Sequence, residues 1–289
     1  MNLRTNKAIP IESVKLFIKS LNCVDSLWDV DIKDSYINTW RSWINYSTLN
    51  KITGLDNFFN ASACAGTSQA FDHWYILHSS KRMRFVKGDF AYHRATCKHS
   101  IDWCYLENDN FREGDAFIIS LPFSDYGKQH PKLEQWLEEC NQKQIPVLID
   151  CAYFGCSKNI KLDLDLYPCI KQIVFSLSKV FYGAEFIRAG IRFCRQDLDD
   201  GLDMINNNNQ LSNINMSIAN RLMQRYSPDW LWSSFLSEYY LICHKYQLQK
   251  TDCIIHALAP NKPELNRGTE VNRACISEPL GVIINATYT

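Results

Sequence analysis

The run Phe175-Ser176-Leu177-Ser178-Lys179 places a lysine behind an apolar stretch, with a hydroxyl on either side of Leu177. A lysine amine attacks a carbonyl only when its ammonium gives up a proton readily, which burial or neighbouring positive charge brings about. Ile173-Val174-Phe175 argues for burial, and Arg188-Ala189-Gly190 follows shortly behind. An arginine with two serines is also a set that can hold a phosphate. Taken alone, Ser-x-Ser-Lys would equally describe a solvated lysine on a surface loop, so the rest of the chain decides its meaning.

Three further segments precede it in a chemically sensible order. Ala65-Gly66-Thr67-Ser68-Gln69-Ala70 leads into the helical pattern Phe71-Asp72-His73-Trp74-Tyr75-Ile76-Leu77. Small residues at a helix start leave backbone N–H groups free for an anion, although Thr67 or Ser68 is also an ordinary N-cap. Gly88-Asp89-Phe90-Ala91-Tyr92 offers two aromatics, either of which could stack on a ring or simply fill a core. Ile149-Asp150-Cys151-Ala152-Tyr153 puts an acid at the end of an apolar run, where open α/β sheets bind ligands. A carboxylate there can hold a protonated pyridine nitrogen or, more plainly, cap a helix.

Those residues need a sheet to position them. Ala116–Leu121, Pro146–Asp150 and Gln172–Ser176 read as buried strands, with a fourth over 187–194. Lys132–Gln142 reads as a helix with Leu133, Trp136, Leu137 and Cys140 on one face. Continuous apolar strands alternating with helices predict an α/β fold with a mostly parallel sheet. Residues 11–50 read as partly helical, with Trp28, Trp40 and Trp43 as packing anchors. The run Asn206–Asn209 marks a loop or helix boundary, and a long helical region over 214–246 breaks near Ser227-Pro228. Short apolar runs after Cys253 suggest a small C-terminal α+β domain. The expected division is 1–45, an N-terminal helical segment; 46–200, a large ligand-binding domain; and 201–289, the small domain.

Composition narrows the class. The chain has 289 residues with formal net charge +0, which gives no sign of a nucleic-acid or anionic-membrane binder. No apolar run is long enough to span a bilayer, and no signal-peptide core follows Met1, so a cytoplasmic protein is expected. Twelve cysteines occur without a C-x-x-C, which favours free, buried thiols over disulfides or zinc; Cys97, His99 and Cys104 make the nearest metal-like group.

Jointly the four segments resemble the fold-type I pyridoxal-phosphate (PLP) enzymes, and within them the class I/II aminotransferases such as histidinol-phosphate aminotransferase. The resemblance covers about residues 50–195 well and the C-terminal third loosely; Asp-x-Ala-Tyr, Ser-x-Ser-Lys and Arg-x-Gly carry it. It implies that Lys179 forms the Schiff base with PLP, that Asp150 bonds the pyridine nitrogen, and that Tyr153 lies near the phenolic oxygen. It implies ring stacking by Phe90, or by Tyr92 if the register slips. The phosphate would meet Gly66, Thr67, Ser68, Ser176, Ser178 and Arg188. The family's Asn-Pro-x-Asn-Pro-x-Gly loop corresponds to Leu121-Pro122-Phe123-Ser124-Asp125-Tyr126-Gly127, with Ser124 replacing the asparagine at the phenolic oxygen. Lys179 and Arg188 stand one residue further apart than usual, and the chain is short for the class, chiefly in the small domain.

An arginine there normally forks onto the substrate carboxylate; Arg273 fits best and Arg267 second. The resemblance further implies a homodimer, with Tyr46 or Tyr36 reaching the partner's phosphate, and transamination between an amino donor and a 2-oxo acid. Decarboxylation, lyase chemistry or a non-catalytic scaffold are the alternatives the same fold allows. His130 and Tyr126 either touch substrate or belong to an ordinary exposed loop.

Overall fold

A computed structural model describes Leu3 and residues 6–288. Among the described residues twelve strands occur in chain order: β1 (Lys51–Thr53), β2 (Asn60–Ala65), β3 (Arg82–Phe85), β4 (Trp103–Tyr105), β5 (Asp115–Ser120), β6 (Val147–Cys151), β7 (Lys161–Asp163), β8 (Ile170–Ser176), β9 (Ala189–Cys194), β10 (Gln249–Lys250), β11 (His256–Leu258) and β12 (Arg273–Cys275). The helices are α1 (Glu12–Ser20), α2 (Ile32–Asn45), α3 (Thr67–Leu77), α4 (Ala91–Cys97), α5 (Leu133–Gln142), α6 (Ala184–Ile187), α7 (Gly201–Asn207), α8 (Asn213–Arg225), α9 (Trp230–Lys245) and α10 (Ser277–Tyr288).

Seven strands form the main sheet in the order β2-β9-β8-β6-β5-β3-β4. Every pair is parallel except those made by β9, which runs antiparallel to β2 and β8. The central strands β5 and β6 are buried at every residue, as expected for a parallel sheet with helices on both faces. On one face α3 buries Phe71, Trp74 and Tyr75 against Ile118, Leu148 and Val174. Fully burying a phenylalanine-sized side chain contributes roughly 1.5–3 kcal/mol, so this helix is held mainly by that contact. Trp40 of α2 packs beside Phe175 on the other face.

This topology gathers the site. The carboxyl ends of β2, β5, β6 and β8 and the amino end of antiparallel β9 share one sheet edge. The register there pairs Ser120 with Asp150, Ser176 with Gly190, and Ala65 with Ala189. The expected α/β architecture is therefore what the chain adopts.

Two expectations change. Helices α7 and α8, read from sequence as small-domain, sit on the main sheet and α2: Asp203 accepts from Ser62 Oγ, and Asn206 bridges the backbone of Ala63. Only the antiparallel sheet β10-β11-β12, with α9 and α10, makes a separate C-terminal layer. Trp28 is no packing anchor, since it is 74% exposed on a short 3-10 turn, whereas Trp40 and Trp43 are buried. The helical break near Pro228 falls between α8 and α9 as the sequence implies.

The stretch before α1 returns along the C-terminal layer. Cys275 N–H donates to the carbonyl of Leu3, Ser277 Oγ to that of Lys7, and Asn285 Nδ2 to that of Pro10. Gly281 makes this fit possible, because a Cβ there would stand 2.5 Å from Pro10 Cγ.

Candidate active site

At that sheet edge one cleft is lined by Gly66, Thr67, Ser68, Phe90, Asp150, Tyr153, Ser176, Ser178, Lys179 and Arg188, joined by Ser120 and Ala152. Segments far apart in sequence thus meet in a cavity of about 90 Å³. A larger cavity of about 690 Å³ lies between α2 and α8, but its hydroxyls, amides and Arg225 include no acid, base or buried amine.

The anion-holding end is built from backbone geometry. Gly66 takes φ +72° as the residue before α3, so the first N–H groups of that helix open onto the cleft without a side-chain cap. Arg188 itself sits in the left-handed region, φ 52°, at the end of α6, an uncommon place for a non-glycine. From there its Nη2 donates to Ala65 O at 2.9 Å and Ser68 Oγ at 2.5 Å. Ser176 and Ser178 hydroxyls share a hydrogen bond of 2.9 Å on the facing strand end.

Gly190 explains the Arg-x-Gly motif: a Cβ there would meet Gly66 Cα at 2.8 Å and Phe175 O at 2.9 Å, all backbone. Gly190→Ala must therefore force β2 and β9 apart. It should destabilise the protein by about 1–3 kcal/mol, read as a lowered Tm.

Asp150 is 3% exposed, and its Oδ1 accepts from Ala152 N–H at 3.0 Å. Burial, then the nearby Asp89, pushes its carboxyl up to about 8, while Ala152 N–H and Lys179 pull the other way. Asp89 is itself buried and accepts from Ser120 N–H at 3.0 Å, from Ser120 Oγ and from Phe90 N–H at 2.8 Å. No local pattern marks Asp89 and Ser120 as partners, because one follows β3 and the other ends β5.

Lys179 Nζ donates to the carbonyl of Asn6 at 2.8 Å. Burial lowers its proton affinity, and Arg188 lowers it further, against the opposing pull of Cys156, Glu185 and Cys275. Tyr153 Oη accepts from Asn6 Nδ2, and burial raises the phenol well above its usual range.

Phe90, 43% exposed, is the aromatic that lines the cleft; Tyr92 stacks behind it at 5.7 Å and donates to Asp72 at 2.8 Å. Ser124 lies just outside the lining. Its carbonyl and Oγ accept from Arg273 Nη1 at 2.9 and 3.0 Å. Arg273 thus stands one side chain away from the cleft, 6% exposed. Arg267 is tied to Asp125 at 2.9 Å, to Asp89 O at 2.9 Å and to the same Ser124 Oγ at 3.4 Å.

Tyr36 cannot reach a partner, being buried with its hydroxyl on Gly190 O at 2.9 Å; Tyr46 is 72% exposed. His130 is buried between Tyr126 and Trp136 and accepts from Lys132 N–H, a packing role and not an exposed loop. Tyr126 bonds Glu270 at 3.0 Å. The cysteines are free, and among the described residues no group of ligands could hold a metal ion.

No family model matches this sequence, and no curated protein matches it. Solved structures do. A tyrosine aminotransferase from Leishmania infantum is similar at TM-score 0.66 and 13% identity, over 98% of this chain and 90% of that one. The histidinol-phosphate aminotransferase from Clostridium acetobutylicum gives 0.61 and 13%, over 98% and 96%. A PLP-bound C-S lyase from Staphylococcus hominis gives 0.64 and 9%, over 98% and 86%. With the sheet order, the cleft at its carboxyl edge and these likenesses together, the chain has the fold of the fold-type I aminotransferases.

Proposed function

We propose that this chain binds PLP and acts as an aminotransferase, passing an amino group from an amino donor to a 2-oxo acid through Lys179. The observation that carries the reading is the meeting of Lys179, Asp150 and Arg188 in one cleft, at the sheet edge where the α3 N-terminus also opens. Mostly aminotransferases among the similar structures support the same class.

The donor set fits the cofactor. Thr67, Ser68, Ser176, Ser178 and Arg188 with the α3 N–H groups suit a phosphate dianion. Asp150, nearly inaccessible to water, suits a protonated ring nitrogen, since the pair is neutral overall and each partner satisfies the other. Bound there, PLP supplies an aldehyde for amine condensation and a ring that takes up an electron pair from the substrate's α-carbon. The protein's own work is then distinct. Arg188 and the hydroxyls fix the phosphate, and Phe90 walls one side. Tyr153 holds a hydroxyl near Lys179, and the Lys179 amine would accept a proton from the substrate's α-carbon and give it to the cofactor's aldehyde carbon. Arg273, turned on Ser124, is the cation suited to a substrate carboxylate.

We further assign a cytoplasmic homodimer, in keeping with twelve free cysteines and with exposed apolar side chains such as Phe59 and Phe186. No described helix is long and apolar enough to cross a membrane.

The test is the absorbance spectrum of the purified protein with PLP, followed by borohydride and peptide mapping. A visible-edge band, trapped by borohydride on the Lys179 peptide and converted by an amino donor, is the expected result. A trapped band that amines fail to convert, with an elimination product released instead, would favour lyase chemistry of the kind named for the Staphylococcus hominis protein. No trapped adduct at Lys179 would overturn the catalytic reading and leave a scaffold.

A further inference from the structure

Asn6 reaches this cleft from a position 173 residues before Lys179. Its main-chain carbonyl accepts from Lys179 Nζ at 2.8 Å, and its carboxamide nitrogen donates to Tyr153 Oη. Its Oδ1 is buried with no hydrogen-bond partner among the described residues. The strand of chain that carries Asn6 is fastened on both sides of it, by Cys275 to Leu3 and by Ser277 to Lys7. Ala8 and Ile9 then bury against the fold, and Pro10 seats on Gly281. A segment anchored this way is a strap, and Asn6 is the residue by which it enters the site.

Resting on the reading of Lys179 as the reactive amine, we infer that Asn6 is a positioning residue: its carbonyl holds the free lysine amine, and its carboxamide clamps the strap to Tyr153 so that the amine is covered on that side. A buried polar oxygen without a partner costs free energy, and Asn6 Oδ1 is tolerated here because the strap's other contacts hold it in place. A carbonyl acceptor favours the protonated lysine, whereas burial, the largest influence on Lys179, disfavours it. The charged or titratable groups that face Lys179 are Asp150, Cys156, Glu185, Arg188, His256 and Cys275, with Tyr153, which Asn6 itself bonds. None of them belongs to the strap, so changes at Asn6 alter cover and geometry while leaving those groups in place.

Trace acylation of the cofactor-free protein, from about pH 6 to about pH 11, reads each lysine's midpoint and its plateau rate, with exposed Lys132 as reference. Asn6→Ala removes the carboxamide tie to Tyr153 and leaves the anchors at Leu3, Lys7 and Pro10, so the chain over Lys179 should loosen locally, moving the Lys179 midpoint up toward the ordinary lysine value and raising its plateau about tenfold. Asn6→Asp keeps the shape and can accept from the Tyr153 hydroxyl where the amide donated, so its midpoint should rise from the added anion while its plateau stays near wild type. A Lys179 midpoint and plateau unchanged in Asn6→Ala would overturn the inference, whatever Asn6→Asp shows. The assay needs no cofactor, so a protein that never traps PLP on Lys179 would sink the aminotransferase reading and leave this result standing.

Discussion

Lys179→Ala should bind PLP without any borohydride-trapped adduct and should lose turnover by a factor on the order of 10³ or more, since both the covalent attachment and the acid–base group vanish together. Binding itself should persist. The phosphate-holding set of Arg188, Ser68, Ser176 and Ser178 is built on backbone geometry that the substitution does not touch. The fold should tolerate the change as well, because the residue is only partly covered and its loss leaves one orphaned carbonyl, at Asn6, costing about 1–3 kcal/mol. The measurement is a pair of titrations, spectral and kinetic, on one preparation. A variant that keeps turnover would remove Lys179 from the chemistry, and a variant that loses all PLP affinity would show that the anion set contributes little. Adding a small free amine should restore part of the activity, an effect that general misfolding would not show.

The main sheet was largely legible. Strands β5, β6 and β8 are apolar on both faces because helices cover both, so their sequences stand out without alternation. Asp150, Ser176 and Lys179 could be placed from sequence because each follows such a run. Strand β2 was not legible. Its Asn-Ala-Ser-Ala-Cys-Ala lacks β-branched residues, since it lies at the sheet edge beneath α2, α3 and α7 and needs small side chains and a hydroxyl for Asp203. The helices α7 and α8 were read into the wrong layer for a related reason. An amphipathic pattern shows that a helix buries one face, and is silent on which sheet receives it.

Within the site the same contrast holds. Gly66, Thr67, Ser68, Phe90, Asp150, Tyr153, Ser176, Ser178, Lys179 and Arg188 come together because local motifs sit at strand ends that topology aligns. Asn6, Asp89 and Ser120 carry no local motif. Asn6 meets Tyr153 across 147 residues, and Asp89 meets Ser120 across a parallel crossover. Ser124, expected at the ring by resemblance, stands just outside the cleft lining, where it accepts from Arg273.

Asp150 should give the clearest dependence on pH. Its carboxyl is raised to about 8 in the folded chain from an ordinary 3.8, chiefly by burial and then by Asp89. Folded protein therefore holds a proton there that the unfolded chain has released. Between those two values the folded state binds more protons, so the group's stabilising contribution is full below the unfolded value and is lost as pH rises through the folded one, at no more than about 1.4 kcal/mol per pH unit.

Asp150→Asn removes that dependence. In cofactor-free protein the variant should gain on wild type steadily as pH rises through this window, measured by denaturant unfolding at several pH values. PLP in excess should flatten the wild-type slope, because a protonated ring nitrogen stabilises the ionised carboxylate, and should leave the variant's slope unchanged. Turnover of the variant should fall by about 10²–10³, the loss expected when one preorganised charge partner in a water-poor site is removed. A wild-type slope that PLP does not alter would separate Asp150 from the ring nitrogen. The carboxyl would then be a buried structural acid held by Ala152 N–H beside Asp89, and the electron-sink role would have no residue in this cleft.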